Sequence, residues 1–546
     1  MSCDSFPSGI SRADNATNPA IQLFGNRLFN DQSPTELLVE FLLVIASSKR
    51  VAGHDNVFAA PLPALETLID WPDMETLQYA PKARLNLKLF AFMGASRLDS
   101  RHETHRQHFK TLLERLQARI RVMESGAEND VLRTLEKLFL GFQGAGSGRT
   151  WCAQSFLPVC PGFLAGETIW NETAARKNPP ADWDDAIGNL QIYFTMNKHR
   201  FLGRGGEVLY LQLCNALRQT PEAVRRWVEE SRVRIEPQEQ DPAWLHAALQ
   251  RELGRVLTHC PQTVTDISEF IDTGVESDTR NATDIRNNEQ RFVDAGWCPA
   301  DSWREGYLFA VDLLRLCMSD LDVIERLQLL ETVCAMQVLR SLAAQSARHC
   351  PPERQTSWPG YRLGISAPDE KRLAVKRISQ HTVKATEKLV YRAIRGDDVE
   401  LPENEEERVK ILKEADTRYG GKLFISTAKR IGLLVPRRGA GARFTLNEQL
   451  LRLLVVTTVP IGGRLTYDRF KELVEVRHGL VFDAMGFTRA SSWADGVDDI
   501  HLGSHCDAWL QDMLEAAGLL IHLSDSCALV ENPAGNESEV IGRSKS

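Results

Sequence analysis

The sequence predicts a mainly α-helical chain of several domains. Three observations carry that expectation. Its 546 residues exceed one ordinary domain. Apolar residues recur at helical spacing through most of the chain. The best candidates for short β-hairpins, apolar runs flanking Gly- or Ser-rich turns, lie in the last quarter. Hydrophobic residues make up 43% and charged residues 25%, the balance of a globular protein with an ample core. The net charge is -8 and the pI about 6.0. Such a chain has no general attraction for polyanions, so any nucleic-acid surface must be local.

Taken in order, residues 1–30 are small and polar and are expected to form a mobile arm. Ser33 and Pro34 read as the N-cap and first turn of a helix over 35–48 with Leu37, Leu38, Phe41, Leu42 and Ile45 inward. Helices are expected over 101–121, 131–142, 221–231, 242–257, 264–272, 301–317 and 321–347. The body 31–347 has a candidate internal break at 145–205, where the chain is irregular and aromatic. Residues 348–374 contain Pro351, Pro352, Pro359 and Pro368 and read as a linker. Helices over 382–395 and 405–419 follow.

The most informative stretch is RYGGKLFISTAKRIGLLVPRRGAGARFTL, 418–446. Phe424, Ala428 and Ile431 define an apolar helix face. Lys422, Ser426 and Lys429 repeat the same spacing on another face, with Arg430 beside them. The helix should stop at Gly432. Two short strands then flank PRRGAGAR, which carries Arg437, Arg438 and Arg443. A helix followed by a basic-tipped hairpin is the layout of a winged helix-turn-helix. In that layout Lys422, Ser426, Lys429 and Arg430 face a groove of duplex DNA while Arg437, Arg438 and Arg443 hold phosphate. Lys and Arg without Asn or Gln suit backbone contacts more than base reading.

A second helix-then-hairpin module is expected over 447–533. A strand over 464–466 and a helix over 467–477 precede a helix over 506–517 and strands over 519–523 and 527–530. Asp507, Asp512 and Glu515 make its later helix acidic, which suits a protein contact rather than DNA. Charge divides accordingly. Residues 371–443 carry eighteen Lys and Arg against ten acids, and residues 491–546 carry two against ten. The fold class is therefore a helical body followed by a basic module, 375–446, and an acidic module, 447–533, both winged-helix-like with short β-hairpins. Residues 534–546 form a tail expected to be disordered.

Candidate chemistry elsewhere is weaker. HETHRQH places His102, His105 and His108 at steps of three, which drift around a helix instead of converging on a metal. His501, His505 and Cys506 lack a completing fourth ligand. GFQGAGSGRT, 141–150, departs from the phosphate-loop pattern at its first Gly and its Lys. GRGGE, 203–207, opens a helix whose amides could hold an anion, although a tight turn explains it more simply. No catalytic residue, metal or cofactor is assigned. The eleven cysteines lack any CxxC and suggest reduced thiols. The N-terminus lacks a signal-peptide pattern, and no run is long enough to span a bilayer. A cytoplasmic setting is expected.

Three runs, FLGRGGEVLYLQLCNAL, RYGGKLFISTAKRIGLLVPRRGAGARFTLNEQLLRLLV and GGRLTYDRFKELVEVRHGLVF, resemble the large accessory proteins of multi-gene bacterial anti-phage defence islands of the Druantia type. The resemblance covers about half the chain. It implies a partner of other defence subunits, among them a helicase, acting on DNA without catalytic residues of its own. The alternatives are a nuclease or nucleotide-dependent enzyme with its site in 151–207, or a pure protein scaffold.

Overall fold

The computed structural model describes residues 4–8, 18–81, 204–258, 292–350, 358–495, 506–524 and 527–533, with short pieces at 83–84 and 164–195 and the isolated residues 262, 265, 266 and 502. The order begins with β1 (Ser5–Phe6), α1 (Pro19–Phe24), α2 (Pro34–Ala46), β2 (Ser48–Val51), α3 (Leu65–Ile69), β3 (Leu77–Ala80) and β4 (Ala83–Arg84). It continues with β5 (Gly166–Glu167), β6 (Ile169–Trp170), α4 (Glu172–Lys177), α5 (Leu190–Tyr193), β7 (Phe194–Thr195), α6 (Gly205–Leu217), α7 (Pro221–Ser231) and α8 (Pro242–Thr258). Then come β8 (Val293–Asp294), β9 (Cys298–Pro299), α9 (Trp303–Met318), α10 (Val323–Arg348), β10 (Leu363–Gly364), α11 (Leu373–Ala393), α12 (Glu405–Glu414) and α13 (Gly421–Arg430). The chain finishes with β11 (Leu434–Val435), β12 (Arg443–Phe444), α14 (Glu448–Thr458), β13 (Arg464–Thr466), α15 (Tyr467–His478), β14 (Leu480–Val481), α16 (Ala484–Trp493), α17 (Ala508–Ala516), β15 (Leu520–Ser524) and β16 (Cys527–Glu531). The protein is mainly helical, and its sheets are small and open.

Helix α2 shows how local chemistry sets an element. Ser33 and Glu36 form a reciprocal capping box, and Pro34 occupies the first turn. Its last carbonyls are closed by the buried Lys49 ammonium, which donates to Val44 O at 3.0 Å, Ile45 O at 2.7 Å and Ser47 O at 2.7 Å. Burial pulls the Lys49 amine down to about 7. Helices α2, α6, α8, α9 and α10 pack on one another as the centre of the body. The 26-residue α10 is its spine, roughly 39 Å long, and it also contacts α11, α13 and α14.

One hydrophobic cluster runs from Phe6 to Val530, so the body and the C-terminal elements share a core. The expected mobile arm is packed where it is described. Phe6 is buried and β1 pairs with β9, while α1 buries Ile21, Leu23 and Phe24. The second half of the expected linker is packed as well. Tyr361, Leu363 and Ile365 are buried. Strand β10 pairs in parallel with β14, and Ser366 bridges Thr445. The prolines marked a break in periodicity, but the apolar residues between them fill the space between two units. The tail 534–546 lies outside the described residues.

Buried polar contacts lock the same units together. Asp312 of α9 accepts from Arg340 of α10 at 2.7 Å and from Arg477 of α15. All three are essentially inaccessible to water. Arg340 also reaches His478 Nδ1 at 3.1 Å. Burial and the two guanidiniums hold the His478 imidazole well below its usual range, so it accepts as a neutral ring. One turn further along α9, Arg315 pairs with Glu239 at 2.7 Å and donates to Thr457 O at 2.6 Å, closing the C-terminus of α14.

Asp312→Ala should therefore destabilise the chain by about 3–5 kcal/mol, because it leaves two arginines buried without their counter-ion. Urea denaturation followed by circular dichroism reads this as a lower midpoint. An unchanged midpoint would show that the triad is not a structural lock.

Candidate nucleic-acid interface

The predicted recognition helix is α13. Leu423, Phe424, Thr427 and Ala428 are buried against the core. Its turn into β11 uses Gly432 at φ +79°, where a Cβ would lie 2.4 Å from Asn447 Nδ2. Strands β11 and β12 pair antiparallel, Leu434 with Phe444 and Val435 with Arg443.

The seven expected binding residues do not share one role. Ser426 Oγ donates to Asn30 O at 3.2 Å and Leu423 O at 3.1 Å. Arg430 Nη1 donates to Gln32 O at 2.6 Å. Asn30 itself donates to Thr417 O and Arg418 O. The segment before α2 therefore engages Ser426 and one arm of the Arg430 guanidinium, although Arg430 remains an exposed residue. Arg443 is also committed. Its Nη1 donates to Ser366 Oγ at 2.6 Å and Ala367 O at 2.8 Å, and its Nη2 to Pro368 O at 2.6 Å. It ties the hairpin to the chain before α11 instead of reaching for phosphate. Lys422, Arg437 and Arg438 are exposed, and Lys429 is half-buried.

The structure adds a surface that the sequence reading passed over. Helix α11 begins at Leu373, nine residues before the start expected at 382. Its full length sets Arg377, His381, Lys384, Lys388 and Arg392 at i, i+4, i+7, i+11 and i+15, one stripe on a helix. All five are exposed. The opposite face, with Val375, Ile378, Thr382, Val383, Thr386, Leu389 and Val390, is buried. None of the five side chains forms an ion pair among the described residues. Arginines nearby behave differently: Arg395 pairs with Asp416, Arg372 with Glu370 and Arg408 with Glu405.

Two contacts join this stripe to the α13–hairpin unit. Gln380 Nε2 donates to Gly441 O at 3.3 Å, bringing the hairpin tip beside α11. Glu387, on the flank of the stripe, lies in the field of Lys429 and Lys384, while partial burial still raises its carboxyl above the usual value. Lys429 and the hairpin that carries Arg437 and Arg438 thus lie beside the α11 stripe. The first turn of α12 is acidic, with Glu405, Glu406 and Glu407.

The remaining candidates resolve differently. At GRGGE, Arg204 takes the left-handed conformation at φ 63°. Gly205 and Gly206 are there for close approach: a Cβ on Gly206 would sit 2.4 Å from Phe41 N. The helix amides already hold an internal acceptor. Gly206 N donates to Glu40 Oε2 at 2.7 Å and Gly205 N to Gln32 Oε1 at 3.2 Å. Glu40 itself is buried beside Glu207, which accepts from Tyr79 and pairs with Arg204 at 3.5 Å. Burial, and then the Glu207 charge, push the Glu40 carboxyl up to about 8. The amides therefore serve the fold, and no external anion is needed there.

Asp507 is not a surface acid. It is buried against Lys471 at 2.7 Å and Tyr467 Oη at 3.0 Å. Cys506 is buried with Val375, Ile378 and Phe487, and burial raises its thiol to about 11. His501 and His505, like His102, His105, His108 and the 141–150 loop, lie outside the described residues. Among the described residues no cluster of three His, Cys, Asp or Glu side chains is placed to hold a metal, and no helix is long and apolar enough to cross a membrane. The cysteines described are all free thiols.

Two outcomes check this assignment. Arg443→Ala should cost about 1–3 kcal/mol of stability through its three lost hydrogen bonds, whereas Arg437→Ala/Arg438→Ala should change stability by less than about 0.5 kcal/mol. Thermal melts of the two variants separate them. Glu40 gives a pH signature. Below pH about 4.5 it is protonated in both folded and unfolded chains. Up to about 8 the unfolded chain loses the proton and the folded chain keeps it, so stability falls as pH rises through that window. Glu40→Gln should gain stability relative to wild type between pH 5 and pH 8 in urea titrations; a constant difference would show that Glu40 is ionised when folded.

No protein-family model matches the chain, and comparison with curated proteins and with solved structures gives no match either.

Proposed function

We propose that this chain is a non-enzymatic DNA-binding or adaptor subunit that holds the phosphate backbone along α11 and the Arg437–Arg438 hairpin tip. The observation that carries this reading is the row of exposed cations on α11 without ion-pair partners among the described residues, set beside Lys429 and the hairpin in a protein of net charge -8. A local basic surface on an acidic protein retains phosphate attraction where neighbouring arginines are neutralised by carboxylates.

The order of elements supports the winged-helix reading of both C-terminal units. Helices α11, α12 and α13 precede the β11–β12 hairpin. In the second unit α14, β13, α15 and α17 precede the β15–β16 hairpin, with β13 paired to β16. The mode differs from groove reading. With Ser426 and Arg430 engaged by the carbonyls of Asn30 and Gln32, and Lys and Arg supplying the remaining contacts, binding is through the backbone and indifferent to sequence. The setting in a multi-protein anti-phage complex, with a helicase among its partners, rests on the likeness of the three sequence runs to such accessory proteins. The second C-terminal unit and the body then supply protein contacts.

The test is fluorescence anisotropy with a short labelled duplex of arbitrary sequence across a salt series. Neutralising Arg377, Lys384 and Lys388 together to Ala should weaken binding and reduce the magnitude of the salt slope by roughly two to three. Arg437→Ala/Arg438→Ala should reduce it by about one to two. If wild type binds no better than an equally acidic control protein, the DNA reading fails and a protein scaffold remains.

A further inference from the structure

We infer that the DNA held on α11 includes an unpaired base, stacked on the ring of Tyr391 at the far end of the cationic stripe; this rests on the reading above. Tyr391 lies three residues beyond Lys388 and one before Arg392, on the side of α11 that turns toward Glu387 and α13. It is a large aromatic side chain left 51% exposed. In a helix whose other face is well buried, it takes no part in the core.

Its ring is also held in place. The Arg395 guanidinium stacks over it at 3.5 Å from the ring centroid. Arg395 is itself anchored by two hydrogen bonds to Asp416, at 3.0 and 2.8 Å, and one to Tyr391 O at 3.2 Å. A pinned ring loses little freedom when a base stacks on it. A cationic track ending in an exposed, ordered aromatic is the pattern by which proteins hold single strands, because every base has a π-face whatever its sequence. A paired base inside a duplex does not offer that face.

Length fits the same picture. From Arg377 to Tyr391 the helix rises roughly 21 Å. At about 3.4 Å per nucleotide that corresponds to roughly six steps of a strand. Arg377, Lys384 and Lys388 would follow the backbone of the paired part, and Tyr391 would receive the first base past the junction. The chemistry recognised is a phosphodiester strand passing from paired to unpaired.

The full-length chain distinguishes these outcomes with three labelled DNAs in anisotropy: a blunt duplex, the same duplex with a three-nucleotide overhang, and a single strand. Wild type should bind the overhang duplex roughly tenfold more tightly than the blunt one. Tyr391→Ala should erase that difference and leave blunt-duplex binding unchanged, while Tyr391→Phe should keep it. Tyr391 is exposed, so its variants should fold, and a thermal melt of each verifies it. With 2-aminopurine as the first unpaired base, wild type should change its fluorescence on binding and Tyr391→Ala should not. If wild type binds all three DNAs alike, or Tyr391→Ala leaves the preference intact, the stacking inference is overturned while the cationic stripe stands. If wild type binds none of them, both readings fall.

Discussion

Asp312 is the point on which the molecule is assembled. It sits on α9, inside the body, yet its two carboxylate oxygens are claimed by arginines from two other helices, Arg340 of α10 and Arg477 of α15. A carboxylate in a dry interior is tolerated only when it is fully paired, and so are the guanidiniums that meet it. The contact therefore has one acceptable geometry, with α15 seated on the body. Arg315 acts in the same way one turn on, joining Glu239 and the end of α14. Apolar burial supplies much of the driving force for the fold, whereas these ion pairs specify how the units are oriented.

That orientation decides which surfaces remain available. The spine α10 touches α2, α9, α11, α13 and α14. Helix α13 is drawn in against it, and the chain before α2 accepts from its Ser426 and Arg430 through Asn30 O and Gln32 O. Helix α11 packs on the spine with one face only. Its stripe from Arg377 to Arg392 consequently keeps the solvent side.

Much of the local structure was legible from residues. Ser33, Pro34 and Glu36 announce α2, and the structure has the capping box they imply. Gly479 and Gly518 end helices in the left-handed conformation. The strand at 464–466 and the helix at 221–231 stand at their expected bounds. The start of α11 is not legible because Lys371 to Gln380 mixes charges with isolated apolar residues and carries no side-chain N-cap; in the fold Val375 and Ile378 pack there against α16 and Cys506.

The sequence by itself determined the helical class, the position of the hairpins and the concentration of positive charge in 371–443. Those properties follow from periodicity, turn chemistry and composition, which are local. Tertiary structure decided which charges are free. Arg443 looks identical to Arg437 and Arg438 along the chain, but the carbonyls of Ala367 and Pro368 take its guanidinium while the other two stay exposed, and Arg430, also exposed, gives a hydrogen bond to the distant Gln32 O. Hydrogen-bond partners several dozen to several hundred residues away leave no mark on the spacing of the residues they occupy.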